Sequence, residues 1–277
     1  MSTFIVLDGH RLTYTTAGRP DASPLLMIHG WLSHRGVWRQ TIPALQDRYR
    51  CVAIDLLGFG NSDKPADADY SIEAQGRRVL QVADALGLER FALIGHSMGG
   101  QIALCIASML APGRVTKLVN VAGVVTGRLT PRVERVVYTQ IAMGAACPRL
   151  YGFSRWATRH RRLAYFTFRP WFYDMDSVPF DEWEIDRRMA FQPGIHISAH
   201  RAGQGIHGLN LTPHLAKITA TALTIHGQQD GTVPISDAHL AAQYIPNHRL
   251  SLVDQCGHFP MYERTQTYLD TLRGFLV

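Results

Sequence analysis

An apolar run, Phe91-Ala-Leu-Ile94, leads straight into Gly95-His-Ser-Met-Gly-Gly100 and then into a small-residue, apolar stretch reaching Leu110. A strand that turns into a helix within three residues needs glycines on either side, because they leave room for a strained backbone at the residue between them. The turn lifts the Ser97 hydroxyl off the end of a sheet. It also aims the positive end of the following helix at whatever that hydroxyl meets. A chain with this segment at its centre is committed to strand-then-helix architecture.

The rest of the chain repeats the alternation. Phe4-Ile-Val-Leu7, the dipeptide Asp8-Gly9 and Arg11–Thr16 predict a β-hairpin with a two-residue turn. Pro24–His29, Tyr49–Asp55, Phe91–Gly95, Lys117–Ala122, Ala220–His226 and Arg249–Val253 are short apolar runs with the length of buried parallel strands. Ser71 predicts an N-cap for a helix to about Leu86, with Glu73 in its first turn and Gly87 just past its end. Met98–Leu110 reads as a buried helix and Tyr262–Phe275 as a final amphipathic one. The expected fold class is α/β: a mostly parallel, eight-stranded sheet with helices on both faces. From about Val125 to Lys217 the text is helical and rich in Arg and aromatics, with no convincing buried strand. The expected organisation is therefore a core of residues 1–124 and 218–277 and a helical cap, 125–217, inserted after the sixth strand.

Several function classes are excluded early. No run of about 18 apolar residues exists, so no membrane span is expected. The N-terminus has neither the basic start nor the apolar segment of a signal peptide. Cys51, Cys105, Cys147 and Cys256 have no metal-ligand or redox spacing and read as reduced thiols of a cytoplasmic protein. The net charge of +6 does not form a nucleic-acid-binding stripe. Nine Arg against Glu134 alone, between Arg128 and Arg169, give that segment a surplus of eight positive charges, leaving the remainder with two negative. Gly58-Phe59-Gly60 lacks the third glycine and helix start of a dinucleotide fingerprint.

A serine hydroxyl is a poor nucleophile at neutral pH and needs a base. His258, in Gly257-His-Phe-Pro260, follows the last predicted strand, and Asp230 follows the strand before it. Loops after parallel strands collect at one sheet edge, so Ser97, Asp230 and His258 are expected together there. A carboxylate at Asp230 holds an imidazole in the tautomer that accepts the serine proton. Two backbone N–H groups complete such a site by binding the oxyanion: those of Met98 and of the residue after His29-Gly30, Trp31. The His29 side chain reads as a buried organiser of its loop and Asp55 as structural.

His29-Gly30-Trp31, Asp55-Leu-Leu-Gly-Phe-Gly-Asn-Ser62, Gly95–Gly100, Asp230 and Gly257–Pro260 together resemble the α/β-hydrolase superfamily along nearly the whole chain. The resemblance implies Ser97 as nucleophile, His258 as base, Asp230 as its partner, and the Trp31 and Met98 amides as the oxyanion hole. It implies no cofactor and no metal. The expected reaction is cleavage of a carboxylic ester or lactone with an apolar or aromatic group, through an acyl-enzyme. Ser97 departs from the Asp nucleophile of haloalkane dehalogenases and epoxide hydrolases. Phe259 stands where carbon–carbon bond hydrolases often carry Trp, and His96 where cofactor-free haloperoxidases (perhydrolases) carry Phe. These two reactions stay as alternatives, as does a receptor-like ligand-binding protein that has kept its triad. In the cap, Tyr151–Trp156 and Tyr165–Tyr173 set aromatics beside Arg155, Arg159, Arg161 and Arg162. The aromatics either line a pocket or glue the cap to the core. The Arg residues read as a solvated face neutralised by the six acids of Asp174–Asp186, with attraction to an acidic head group or membrane surface as the alternative. His200 and His207 receive no catalytic role.

Overall fold

A computed structural model describes residues 3–157 and 160–276, with side chains excepted at 136–138, 140, 145, 148, 151, 154, 155, 161, 164, 166 and 167. Arg159 and the side chains of Arg155 and Arg161 thus lie outside the described residues. The hairpin forms as β1 (Thr3–Leu7) and β2 (His10–Ala17), antiparallel around Asp8-Gly9, both at positive φ. Six parallel strands follow: β3 (Ser23–Ile28), β4 (Tyr49–Ile54), β5 (Phe91–His96), β6 (Val115–Val121), β7 (Thr221–Gly227) and β8 (His248–Val253). Their order across the sheet is β1-β2-β4-β3-β5-β6-β7-β8. The chain reverses its direction of travel across the sheet at β3, and the crevice between the carboxyl ends of β3 and β5 is the topological switch point.

Alternate residues of each central strand enter opposite cores. Leu26, Ile28, Val52 and Ile54 face one apolar cluster, whereas Leu25, Met27, Cys51 and Ala53 face the other. Burial on both faces explains why these strands read as continuous apolar runs.

Helix α1 (Thr41–Leu45) follows β3, and α2 (Ile72–Ala85) and α3 (Met98–Cys105) pack on the first cluster. The Ser71 hydroxyl caps α2 by accepting from Ala74 N–H at 3.3 Å, as its sequence predicts. The predicted helix 98–110 widens into a π-turn at Ile106–Leu110, where the Ala111 N–H reaches the Ile106 carbonyl and Pro112 forbids continuation.

Between β6 and β7 the described residues contain no strand but, besides shorter π- and 3-10-helical turns, five α-helices: α4 (Thr139–Ala146), α5 (Pro148–Ala157), α6 (Arg161–Phe168), α7 (Phe180–Ala190) and α8 (Ile195–His207). This insert joins both cores, through Ala199, Ala202 and Ile206 on one side and Phe168, Phe172 and Trp183 on the other. Helix α9 (Ile235–Tyr244) connects β7 to β8. The predicted last helix is divided into α10 (Pro260–Glu263) and α11 (Thr265–Leu276), because Arg264 leaves helical geometry (φ −137, ψ 52). No described helix is long and apolar enough to cross a membrane.

Candidate active site

All six residues of β5 are buried, and the strand delivers Ser97 into the left-handed region at φ 56, ψ −119. A non-glycine residue held there costs on the order of 1–3 kcal/mol, which the surroundings must over-determine. They do: the Ser97 N–H donates to the Val121 carbonyl at 3.0 Å, and the Ser97 carbonyl accepts from Gln101 and Val124. A Cβ on Gly95 would lie 2.1 Å from the Gly99 carbonyl oxygen, so a side chain there would prevent the turn. The loop after β3 approaches equally closely, since a Cβ on Gly30 would sit 2.9 Å from that of Ser97. This brings Trp31 against the serine, while Met98 opens α3 directly behind it.

Asp230 lies in the turn after β7, its carboxylate fully buried. One oxygen accepts from the Thr232 and Val233 N–H groups at 2.7 and 3.1 Å; the other stands 2.8 Å from His258 Nδ1. Nδ1 therefore donates to the carboxylate, which leaves Nε2 on the far side of the ring from Asp230. The His258 backbone is held from both sides. Its N–H donates to the Trp171 carbonyl of the insert at 2.9 Å, and its own carbonyl accepts from His96 Nε2 at 2.9 Å. Burial opposes ionisation of Asp230, but His258, His226 and the Thr232 amide outweigh it and hold its pKa below the ordinary carboxylate value.

Ser97, His258 and Trp31 line one cavity, with Asp230 behind the imidazole. Its walls are aromatic: Trp31, Phe168, Trp171, Phe172, Trp183 and Phe259, four of them from the insert. The volume is about 40 Å³, room for a few water molecules. Asp186 is the one acidic residue among the described lining residues, which include no Lys or Arg. Its Oδ1 accepts from His34 Nε2 at 2.9 Å and Arg39 Nη2 at 3.0 Å, tying α7 to the loop after β3.

His29 and Asp55 stay out of the cavity lining. His29 Nδ1 donates to the Gly30 carbonyl and Nε2 accepts from the Leu56 N–H, and burial pushes its pKa down to about 4. Asp55 accepts from the Arg35 and Asn61 amides and pairs with the Arg35 guanidinium. His207 meets the Gly127 carbonyl, again away from the cavity.

Three contributors escaped sequence reasoning. His96 tilts over the His258 and Phe259 rings at 4.7 and 4.9 Å. His226 Nε2 donates to the Val233 carbonyl at 3.2 Å and lies 3.4 Å from Asp230 Oδ2. Glu263 accepts from the Gly257, Tyr173 and Asp174 amides at 3.0, 2.7 and 3.1 Å, stitching the His258 loop to the insert. The available signal was position alone: His96 inside the elbow, His226 four residues before Asp230, Glu263 five after His258. Among the described residues, no group of three or more His, Cys, Asp or Glu is arranged to hold a metal ion.

These features define an α/β protein whose polar residues gather at the carboxyl edge of its parallel strands. The family model for the α/β-hydrolase fold matches residues 23–265, and the chain belongs to that family. A 2-hydroxymuconate semialdehyde hydrolase of Pseudomonas sp. (strain CF600) is 30% identical over 267 residues, covering 91% of this chain and 86% of that protein. A pimeloyl-(acyl-carrier protein) methyl ester esterase of Nitrosomonas europaea is 28% identical over 246 residues, 89% of this chain and 91% of that one. A meta-cleavage product hydrolase of Pseudomonas fluorescens IP01 superposes with a TM-score of 0.81 at 24% identity, over 99% of this chain and 97% of that one.

Proposed function

We propose that this α/β hydrolase cleaves a neutral carboxylic ester or lactone with an apolar or aromatic acyl group, using Ser97, His258 and Asp230. The observation that carries the reading is the His258–Asp230 pair at 2.8 Å sharing an aromatic-walled cavity with a strained Ser97. His258 Nε2 takes the Ser97 proton as Oγ attacks the carbonyl carbon. The Trp31 and Met98 N–H groups receive the oxyanion, each worth a few kcal/mol. His258 then protonates the leaving alcohol, and afterwards takes a proton from the water that attacks the acyl-enzyme. Asp230 balances the imidazolium throughout. The helical insert is the lid over this chemistry, and the protein works in the cytoplasm without a cofactor.

Carbon–carbon cleavage is the second reading, favoured by the 30% identity to a 2-hydroxymuconate semialdehyde hydrolase. Against it, an acidic dienoate would meet Asp186 and no cation among the described lining residues. The deciding experiment is hydrolysis of p-nitrophenyl esters from acetate to palmitate beside spectral turnover of a vinylogous diketone, each repeated with Ser97→Ala. Ester turnover is expected, with kcat/KM lowered about 10⁴-fold or more by Ser97→Ala. Near-wild-type turnover in the folded variant would overturn the mechanism, and preferential diketone cleavage would overturn the substrate class. Peroxide-dependent bromination marks a perhydrolase, and saturable binding without turnover marks a receptor.

A further inference from the structure

Five large apolar side chains stand exposed within 21 residues of the insert: Met143 (51%), Leu150 (39%), Phe153 (62%), Trp156 (55%) and Leu163 (49%). On α5, Leu150, Phe153 and Trp156 recur every third residue, so they share one side of the helix, and the last two rings meet at 5.8 Å. Arg149 and Arg162 fall within the same 21 residues and are exposed, as are Arg128, Arg132, Arg135 and Arg169 on either side of that stretch in the chain. Three of the six acids expected to neutralise this basic segment are engaged elsewhere. Asp186 pairs with His34 and Arg39, Glu184 with Arg187 and Arg188, and Glu182 accepts from Gln40. Among the described residues no salt bridge joins the Asp174–Asp186 stretch to the Arg residues of 128–169.

We propose that the α4–α6 face docks on an anionic lipid surface. A bilayer interface supplies both things this face lacks: an apolar layer for Trp156, Phe153 and Leu150, and a dense field of negative phosphates for the surrounding guanidiniums. The complementarity is local, because the rest of the chain carries a slight negative surplus that such a surface repels. The docking face is thus part of the proposed lid itself, and α6 ends at Phe168 in the cavity wall.

The test is sedimentation of the full-length chain with vesicles of ether-linked phosphatidylcholine, with and without ether-linked phosphatidylglycerol, at low and high salt. Phosphatidylglycerol is expected to strengthen binding at least about tenfold at low salt, with loss at high salt and a blue shift of tryptophan emission. Phe153→Ser with Trp156→Ser is expected to weaken binding about tenfold while leaving hydrolysis of a soluble short-chain ester unchanged. Arg149→Glu with Arg162→Glu is expected to remove the phosphatidylglycerol preference. Binding indifferent to lipid charge, or retained in the Phe153/Trp156 variant, overturns the proposal. So does a self-association that this variant disperses without any vesicle binding, which assigns the face to a second copy, and so does binding to an acidic protein alone. Ser97→Ala must bind vesicles like the wild type, so this test stands apart from the proposed reaction.

Discussion

At the residue scale, His96 does work that its place in the elbow does not announce. Burial pushes its pKa down to about 3, so the ring is neutral at any working pH, and its Nε2–H is committed to the His258 carbonyl. Among the described residues its buried Nδ1 has no hydrogen-bond partner. A protonated ring here would place positive charge 4.7 Å from the imidazole that the proposed mechanism needs as a base. His96→Phe keeps the ring contact and loses the donor. The expected result is a fall in kcat of about tenfold with KM little changed, since one hydrogen bond to a positioned group is worth about 1 kcal/mol or slightly more. His96→Gln, whose amide can donate to the same carbonyl, is expected to recover most of the loss. Kinetics of both variants across pH 5–9 check this, and equal kcat values for wild type, Phe and Gln would refute it. The proposed Ser97, Asp230 and His258 were legible because each follows an apolar run that had to be a strand. His96 was not, because an elbow's second position accepts many residues and its partner lies 162 residues away.

At the element scale, the insert is attached by a few polar seams as well as by aromatic packing. Glu263 forms one of these: one buried carboxylate accepts three backbone N–H groups from two loops, although burial pushes its pKa up. Glu263→Ala strands those donors, each costing on the order of 1 kcal/mol or more. The expected loss is about 3 kcal/mol, or a Tm lower by roughly 10 °C. Calorimetry decides it, and a Tm within a degree of wild type would show that water or rearrangement satisfies the loops. The break at Arg264 belongs to the same device. An apolar periodicity over 262–275 predicted one helix, whereas the chain breaks at Arg264, directly after the Glu263 that holds Gly257 and Tyr173.

At the scale of the whole molecule, buried histidines are expected to lower stability as the medium becomes acidic. Burial pushes His29 and His248 down to about 4 and His96 to about 3, from an ordinary value of 6.5. In the unfolded chain these rings take up protons as the pH falls below about 6.5, whereas the folded chain resists until about 4 or lower. The unfolded state therefore binds more protons across that window, and stability falls as the pH falls through it. Glu263 and Asp237, both pushed up by burial, act in the opposite direction within the carboxylate range. The urea midpoint is expected to be lower at pH 5 than at pH 7, with the gap narrowed in His96→Phe. Equal midpoints would mean that the carboxylates cancel the histidines.

What the sequence determined by itself was local or periodic: the strands as apolar runs, the Ser71 cap, the elbow around Ser97, and the hairpin at Asp8-Gly9. These depend on contacts within a few residues or on a repeat along the chain, so the text carries them directly. The tertiary structure alone decided the strand order with its switch at β3, the neutral His96 above His258, the Glu263 stitch, and the engagement of Asp186 by His34 and Arg39. It also decided that Phe153 and Trp156 face outward while Phe168, Phe172 and Trp183 face in. Side-chain direction on an inserted helix follows from what that helix packs against, and residues far apart in the chain meet only when the core brings them together.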